Sequence, residues 1–344
     1  MKSTFCIVED RPGWDSSLKL LVLSLVAHKA SREINIFYAP AEPDFVRWAE
    51  GVPGVCLRTQ RLKASGWDVK PEAALALMGE GFEEVIWIDS DIIALRDPAR
   101  HFSSLDERTF LVTIDTPAAQ RNETAAARAQ MWGFEVGRGL PYNLNTGVHR
   151  VTRAHRKLLE RWSELLSREN YQQCQQMQWY DRPFHLMGDH DPLMALLCSA
   201  EFSDVPVQFL RRDRDIVHFD GVWGYTVAAR LRHMIWGPPT FVHSMCAKPW
   251  SYAWETARPG LRDWFKDRYL DLSPYTLYAA RLGRDVGYSP PWVNPHYGLS
   301  GFLRALTMGS PPLAGLPLAA LWDATRALHS LCPWCFQLTA KDIK

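Results

Sequence analysis

Four consecutive apolar residues, Val85-Ile86-Trp87-Ile88, run directly into Asp89-Ser90-Asp91. Unbroken apolarity over the length of a strand, without the alternation of a half-exposed one, calls for cover on both faces. A central strand of a layered α/β sheet meets that condition. Carboxylates at the end of such a strand are costly unless something cationic compensates them. Two of them, two positions apart where the backbone turns, can converge on one divalent ion. Oxygen ligands of this kind suit Mg²⁺ or Mn²⁺, and such an ion neutralises a diphosphate leaving group. The plainer alternative is that one Asp caps the next turn and the other is solvated.

The rest of the chain repeats the strand-and-helix texture. Thr4 to Val8 reads as a first strand, ended by Glu9-Asp10 and a Pro-Gly break, and Asp15-Ser16-Ser17 caps an apolar helix. Ile34 to Tyr38 and Val55 to Thr59 read as strands, and Pro71 opens a helix through about Met78. Phe110 to Ile114, Leu144 to Val151, Val205 to Leu210 and Thr240 to His243 follow as strand segments. Helices are expected over Glu123 to Trp132, Ala154 to Leu166 and Asp191 to Leu197. This alternation predicts an α/β sandwich with a largely parallel sheet, whose ligands sit beyond the carboxyl ends of the strands. Asp10 and Asp89 fall there. From about Ser289 the texture shifts to a Pro-punctuated stretch rich in Leu, Ala and Trp, read as a mostly helical extension.

Composition narrows the function. The 39 basic and 38 acidic residues nearly cancel, which removes the field needed to grip a nucleic-acid backbone. Seven Cys at irregular spacing suit buried thiols in a reducing compartment better than a disulfide framework. Cys332-Pro-Trp-Cys335 is an isolated C-x-x-C pair, read as two half-buried thiols. Asn122-Glu123-Thr124 matches a glycosylation sequon, but Met1 to Asp10 lacks the apolar core of a signal peptide. No apolar run of about 18 residues is long enough to span a membrane.

Four further pieces lie downstream or upstream of the carboxylate pair. They are the turn Asn143-Leu144-Asn145-Thr146-Gly147-Val148, the helix start Asp189-His190-Asp191-Pro192-Leu193, His243 five residues before Lys248-Pro249-Trp250, and Lys70 ahead of the helix that leads to the strand. In this order they resemble the retaining glycosyltransferases of the glycogenin and bacterial lipopolysaccharide galactosyltransferase family. That family carries D-x-D after an apolar strand, an F-N-[SA]-G turn, D-Q-D-x-L/F at a helix start, and H-x-x-G-x-x-K-P-W. The chain has DSD, LNTG, DHDPL and HSMCAKPW, over roughly Thr4 to Trp250.

The resemblance implies a GT-A fold over residues 1–255 with a helical extension over 256–344, Mn²⁺ (or Mg²⁺) as cofactor, and a UDP-sugar donor. Carried over, Asp89, Asp91 and His243 hold the metal, with His218 in Ile216 to Gly221 as the runner-up ligand. Lys248 contacts the diphosphate, with Lys70 and Ser90 also assigned to the cofactor-binding set. Asn145 and Asp189 line the donor sugar, with His190 in place of the family's Gln. Asp10 lies near the nucleobase and Trp14 stacks on it. The last motif is one residue shorter than the family's between His243 and Lys248 and lacks its Gly.

The activity implied is hexosyl transfer, with retention, to a carbohydrate, lipid-linked or small-molecule hydroxyl acceptor, in the cytoplasm. The segment Leu299 to Leu338 reads either as an interfacial helix at the inner face of the membrane or as a helical pair packed on the catalytic domain. A metal-dependent phosphoester hydrolase could use the same acidic residues, and a non-catalytic nucleotide-sugar binding protein could use the same pocket.

Overall fold

The computed structural model describes residues 2–28, 32–116, 124–221, 224–245, 247–252 and 261–331. Asn122 and Glu123 of the sequon, the C-x-x-C pair, Cys246 and the expected boundary at 255/256 lie outside the described residues.

Seven strands form the central sheet: β1 (Ser3–Glu9), β2 (Glu33–Tyr38), β3 (Val55–Arg58), β4 (Glu84–Ile88), β6 (Phe110–Ile114), β7 (Leu144–Thr152) and β8 (Val207–Leu210). Their order is β3-β2-β1-β4-β7-β6-β8. All neighbouring pairs are parallel except those of β7, which runs antiparallel to both β4 and β6. The α/β architecture with a helical C-terminal part is therefore the one expected from the sequence. β4 lies between β1 and β7, and every residue of Glu84–Ile88 is buried. Its unbroken apolar run reflects cover on both faces: Val85 and Trp87 enter one core cluster, while Ile86 and Ile88 enter the other.

A buried Glu84 looks out of place in such a strand. Its carboxylate takes the Nε–H of Arg150, directly across from the strand on β7, at 2.6 Å, and Arg150 also donates to the carbonyls of Asp106 and Thr109. Both charges are thus removed from water together as a pair, with Arg150 Nη2 left without a hydrogen-bond partner.

A second sheet of three strands was not evident in the sequence. It consists of β5 (Ile92–Ala94), β10 (Phe241–Ser244) and β9 (Ile216–Phe219), in the order β5-β10-β9. The three residues of β5 follow the carboxylate turn so closely that no strand period could show. The C-terminal helices, Leu261–Asp271, Pro274–Asp285, Gly298–Leu306, Pro311–Ala314 and Leu316–Leu331, pack around this sheet. Tyr275, Tyr278, Ala279 and Leu282 share one apolar core with Ile93 of β5, Val242 of β10 and Leu20 of the first helix.

Candidate active site

The site forms where β4 ends and the small sheet begins. The Asp89 N–H donates to the Gly147 carbonyl at 2.8 Å, which ties the carboxylate turn to β7. β5 pairs antiparallel with β10, with Ile92 opposite His243, and the Ser244 N–H donates to the Asp91 carbonyl at 2.9 Å. This pairing sets His243 against Asp91. Its Nε2 is 3.2 Å from Asp91 Oδ1 and 3.9 Å from Asp89 Oδ2. One ligand atom from each of Asp89, Asp91 and His243 falls within 4.8 Å of the others. Gly147 is required at this point, since a Cβ there would come within 2.8 Å of His243 Cε1.

His218 stands behind His243, not beside it. Its Nδ1 is 3.1 Å from His243 Nδ1, and its Nε2 is 3.1 Å from the Ile114 carbonyl. The carbonyl can only accept, so His218 Nε2 carries the proton and Nδ1 accepts. The hydrogen-bond network then requires His243 Nδ1–H to donate to His218, which leaves His243 Nε2 to face the two carboxylates. Burial holds the His218 pKa well below its usual range, in keeping with a neutral ring. The runner-up ligand is thus a support for the first.

Two lysines balance the carboxylates. Lys248 Nζ donates to Asp91 Oδ2 and to the Ser244 carbonyl. Burial works against ionisation of Asp91, but Lys248 and His243 outweigh it and hold the carboxyl well below the usual range. Lys70 is buried, with Nζ 3.3 Å from Asp89 Oδ1 and 3.2 Å from Asp189 Oδ2. It also donates to Thr146 Oγ1 at 2.8 Å, and that hydroxyl donates onward to Asp189 Oδ2 at 2.6 Å. Burial disfavours the charged form of Lys70, yet Asp189 and Asp89 more than offset this and raise its pKa. For Asp89 burial prevails and the pKa is raised, although Lys70 and His243 oppose it.

His190 sits between Asp189 (Nδ1 to Oδ1, 3.8 Å) and Asp191 (Nε2 to Oδ2, 3.6 Å). Burial opposes its charge, but Asp191, Asp189 and Asp115 prevail and push its pKa up to about 9. Asp191 is in turn held by Arg128 Nε at 2.7 Å. Asn145 is buried, and its side-chain oxygen accepts the Gly147 N–H at 2.9 Å. Ser90 donates to Glu9 Oε2 at 2.6 Å, and Glu9 also takes both Nε and Nη2 of Arg11.

Asp10 is exposed and accepts the Gly66 N–H at 2.6 Å. Trp14 differs from its expected role as a stacking surface. The Arg11 guanidinium lies 3.5 Å from its ring centroid, Trp250 meets it edge to face at 4.9 Å, and the ring is buried. It packs, because the aromatic ring removes more apolar area from water there than it could while facing solvent.

Sequence reasoning missed Glu9, Thr146, Trp87, Asp115 and Arg128. Trp87 donates its indole N–H to Asp89 Oδ1 at 2.6 Å. Asp115 was within reach of the same signal that marked Asp89, since it too ends an apolar strand. Glu9, at the end of the apolar first strand, carried the same signal, and Arg128 carries no local one.

Together these residues make a buried cluster: a carboxylate pair with an imidazole nitrogen, flanked by one ammonium on each side. Such a cluster can hold a divalent cation and an anionic group next to it.

No family model matches the chain, and no curated protein does. Among solved structures it is similar to the galactosyltransferase LgtC in complex with donor and acceptor sugar analogues, at 15% identity, covering 84% of this chain and 98% of that one, with a TM-score of 0.49. It is also similar to an active-site mutant of LgtC (15% identity, 86% and 100% covered, TM-score 0.48). A third similarity is to the apo structure of the bifunctional glycosyltransferase WbbM, at 12% identity, 72% of this chain and a TM-score of 0.46. This chain spans 46% of WbbM. At these TM-scores the functional reading is left to the chain's own residues.

Proposed function

We propose that the chain is a GT-A glycosyltransferase that moves a hexosyl group from a UDP-sugar to a hydroxyl acceptor, with retention, using Mn²⁺ or Mg²⁺. The observation that carries this reading is the convergence of one ligand atom each from Asp89, Asp91 and His243 within 4.8 Å of one another. His243 Nε2 stands 3.2 Å and 3.9 Å from the two carboxylate oxygens, a spacing that a shared cation would fill. Two hard oxygens and one borderline nitrogen fit Mn²⁺ or Mg²⁺. Asp89, Asp91 and His243 would hold the ion, which when bound supplies Lewis-acid neutralisation of the diphosphate.

The protein's own groups supply the rest. Lys248, next to Asp91, is in position to meet diphosphate charge as the bond to the sugar breaks. Lys70 holds Asp89 and Asp189 in place as a shared counter-charge, so Asp189 and Asn145 can orient the donor sugar. Asp189 Oδ2 already accepts from Thr146 and faces Lys70. The protonated His190, where the family has Gln, presents a cation to the sugar. Burial of the cluster supports exclusion of water, which would otherwise hydrolyse the donor.

Among the described residues no helix is long and apolar enough to cross a membrane. Peripheral contact at the inner face of the membrane is supported by Leu299, Phe302 and Leu306, exposed at helical spacing on Gly298–Leu306, with Met308 just beyond. A lipid-linked acceptor would suit that location, and the division into a catalytic part through residue 255 and a helical extension is kept as part of the proposal. A thermal-shift screen of nucleotide sugars with and without Mn²⁺ tests the central reading. Stabilisation by UDP only with metal is expected; equal stabilisation without metal, or none by any UDP compound, overturns it.

A further inference from the structure

Next to the cluster stand three large aromatic side chains that the core does not absorb. Trp67 is 42% exposed, Trp179 45% and Tyr180 66%. Trp67 and Trp179 come from segments more than a hundred residues apart, yet their ring centroids are 6.0 Å apart at an interplanar angle of 71°. The pair is built and held. Arg182 lies against both rings, 5.8 Å from the Trp67 centroid and 5.4 Å from that of Trp179. Its guanidinium is itself pinned by the Gln175 side chain at 2.6 Å and by the carbonyls of Met187 and Gln175 at 2.8 Å each. On the other side, Gly66 is tied to Asp10, and Asp68 accepts from Tyr171 and Gln172. Solvent-facing rings with this much support around them are not incidental exposure.

Their place matters as much as their exposure. The short helix bearing Trp67, Gly66–Val69, continues directly into the helix that begins with Lys70. A Cβ on Gly188 would stand 3.8 Å from Trp179 Cη2 and 3.2 Å from His190 Cε1. The rings therefore flank the Lys70–Asp189–His190 end of the site, not the Lys248–Asp91 end assigned to the diphosphate.

We infer that Trp67 and Trp179 form the acceptor subsite, an aromatic corner that takes a pyranose ring by its apolar C–H face. This rests on the proposed transferase activity and gives its acceptor a chemical class, a carbohydrate. The negative face of an indole attracts the slightly positive axial C–H bonds of a sugar, and two rings near a right angle offer a ring-shaped ligand a floor and a wall. Tyr180, exposed beside Trp179, brings a phenol that can exchange hydrogen bonds with sugar hydroxyls.

The test measures binding of methyl α- and β-hexopyranosides of glucose, galactose and mannose by saturation-transfer NMR, with UDP and Mn²⁺ affinity measured on the same samples. The comparison covers wild type, Trp67→Ala, Trp179→Ala and Trp179→Phe. Because both tryptophans are half exposed, thermal melting should remain close to wild type. At least one glycoside should bind wild type and bind each Ala variant roughly tenfold more weakly. The Phe variant should recover much of that loss, and UDP affinity should stay unchanged throughout. Wild type that binds UDP with metal but no glycoside, or Ala variants that bind glycoside as wild type does, would overturn the inference. So would loss of UDP affinity in the Ala variants, which would make the corner a nucleobase platform. Failure of wild type to bind UDP with metal is a different result, and it strikes the transferase reading itself.

Discussion

The Nδ1 atoms of His218 and His243 stand 3.1 Å apart in the core of the small sheet, on neighbouring strands whose register places the two residues side by side. Because the Ile114 carbonyl fixes the tautomer of His218, the proton on His243 Nδ1 follows, and with it the presentation of Nε2 to the carboxylates. A residue that touches neither carboxylate thus decides what its neighbour offers them.

Replacing His218 with Phe should therefore weaken metal binding by about 10–100-fold while His243 remains in place. Mn²⁺ titration followed by electron paramagnetic resonance reads this directly. Unchanged affinity in a folded variant would show that His243 needs no such orientation.

Asp91 is the only one of the three proposed metal-binding residues that also contacts Lys248, so its loss should affect metal and diphosphate sites together. Asp91→Asn should lower UDP release in the presence of Mn²⁺ by roughly 10²–10³-fold. Undiminished turnover would remove the carboxylate pair from the mechanism.

Lys70 compensates two buried carboxylates at once. Lys70→Met should cost about 3–5 kcal/mol of stability, because Asp89 and Asp189 are left uncompensated, and Asp189→Asn in the same chain should restore part of it. Urea denaturation of the wild type, the two single variants and the double variant measures the coupling; simple additivity would count against the shared role.

His155 lies far from the site and reports on stability alone. Its Nδ1 accepts the Thr152 N–H at 3.0 Å, and its Nε2 donates to the Arg108 carbonyl at 2.9 Å, so the ring is neutral in the fold. Burial pushes its pKa down to about 4 from 6.5. Between those values the unfolded chain binds the proton and the folded one does not. Stability is then full above about pH 6.5 and falls toward pH 4, by about 3 kcal/mol from this residue. In His155→Gln the stability curve should be flatter over that window, though lower at neutral pH. An equal slope in both proteins would refute the assignment.

Much of the fold was legible because its signals are local. The apolar run before Asp89, the helix opened by Pro71 and the strand at Phe110 each show their period within a dozen residues and lie where expected. The first helix, by contrast, starts at Asp15 itself with no side-chain cap, and Asn145 to Gly147 belong to β7 rather than to a turn. β5 escaped notice because three residues cannot display a period, and the antiparallel direction of β7 because strand direction is not written in composition. Trp14 shows the limit from the other side. Its type allows stacking or packing equally, and only the arrival of Arg11 and Trp250 chose packing.

By itself the sequence determined that two carboxylates end a buried strand and that something cationic must answer them, since that cost follows from near neighbours along the chain. Only the tertiary structure decided what answers. Lys248 reaches Asp91 from 157 residues away, and Lys70 bridges Asp89 and Asp189 across 19 and 119 positions. Those meetings depend on the pairing of β5 with β10 and on helices packed over the sheet. They are set by contacts among distant residues, which no local pattern encodes.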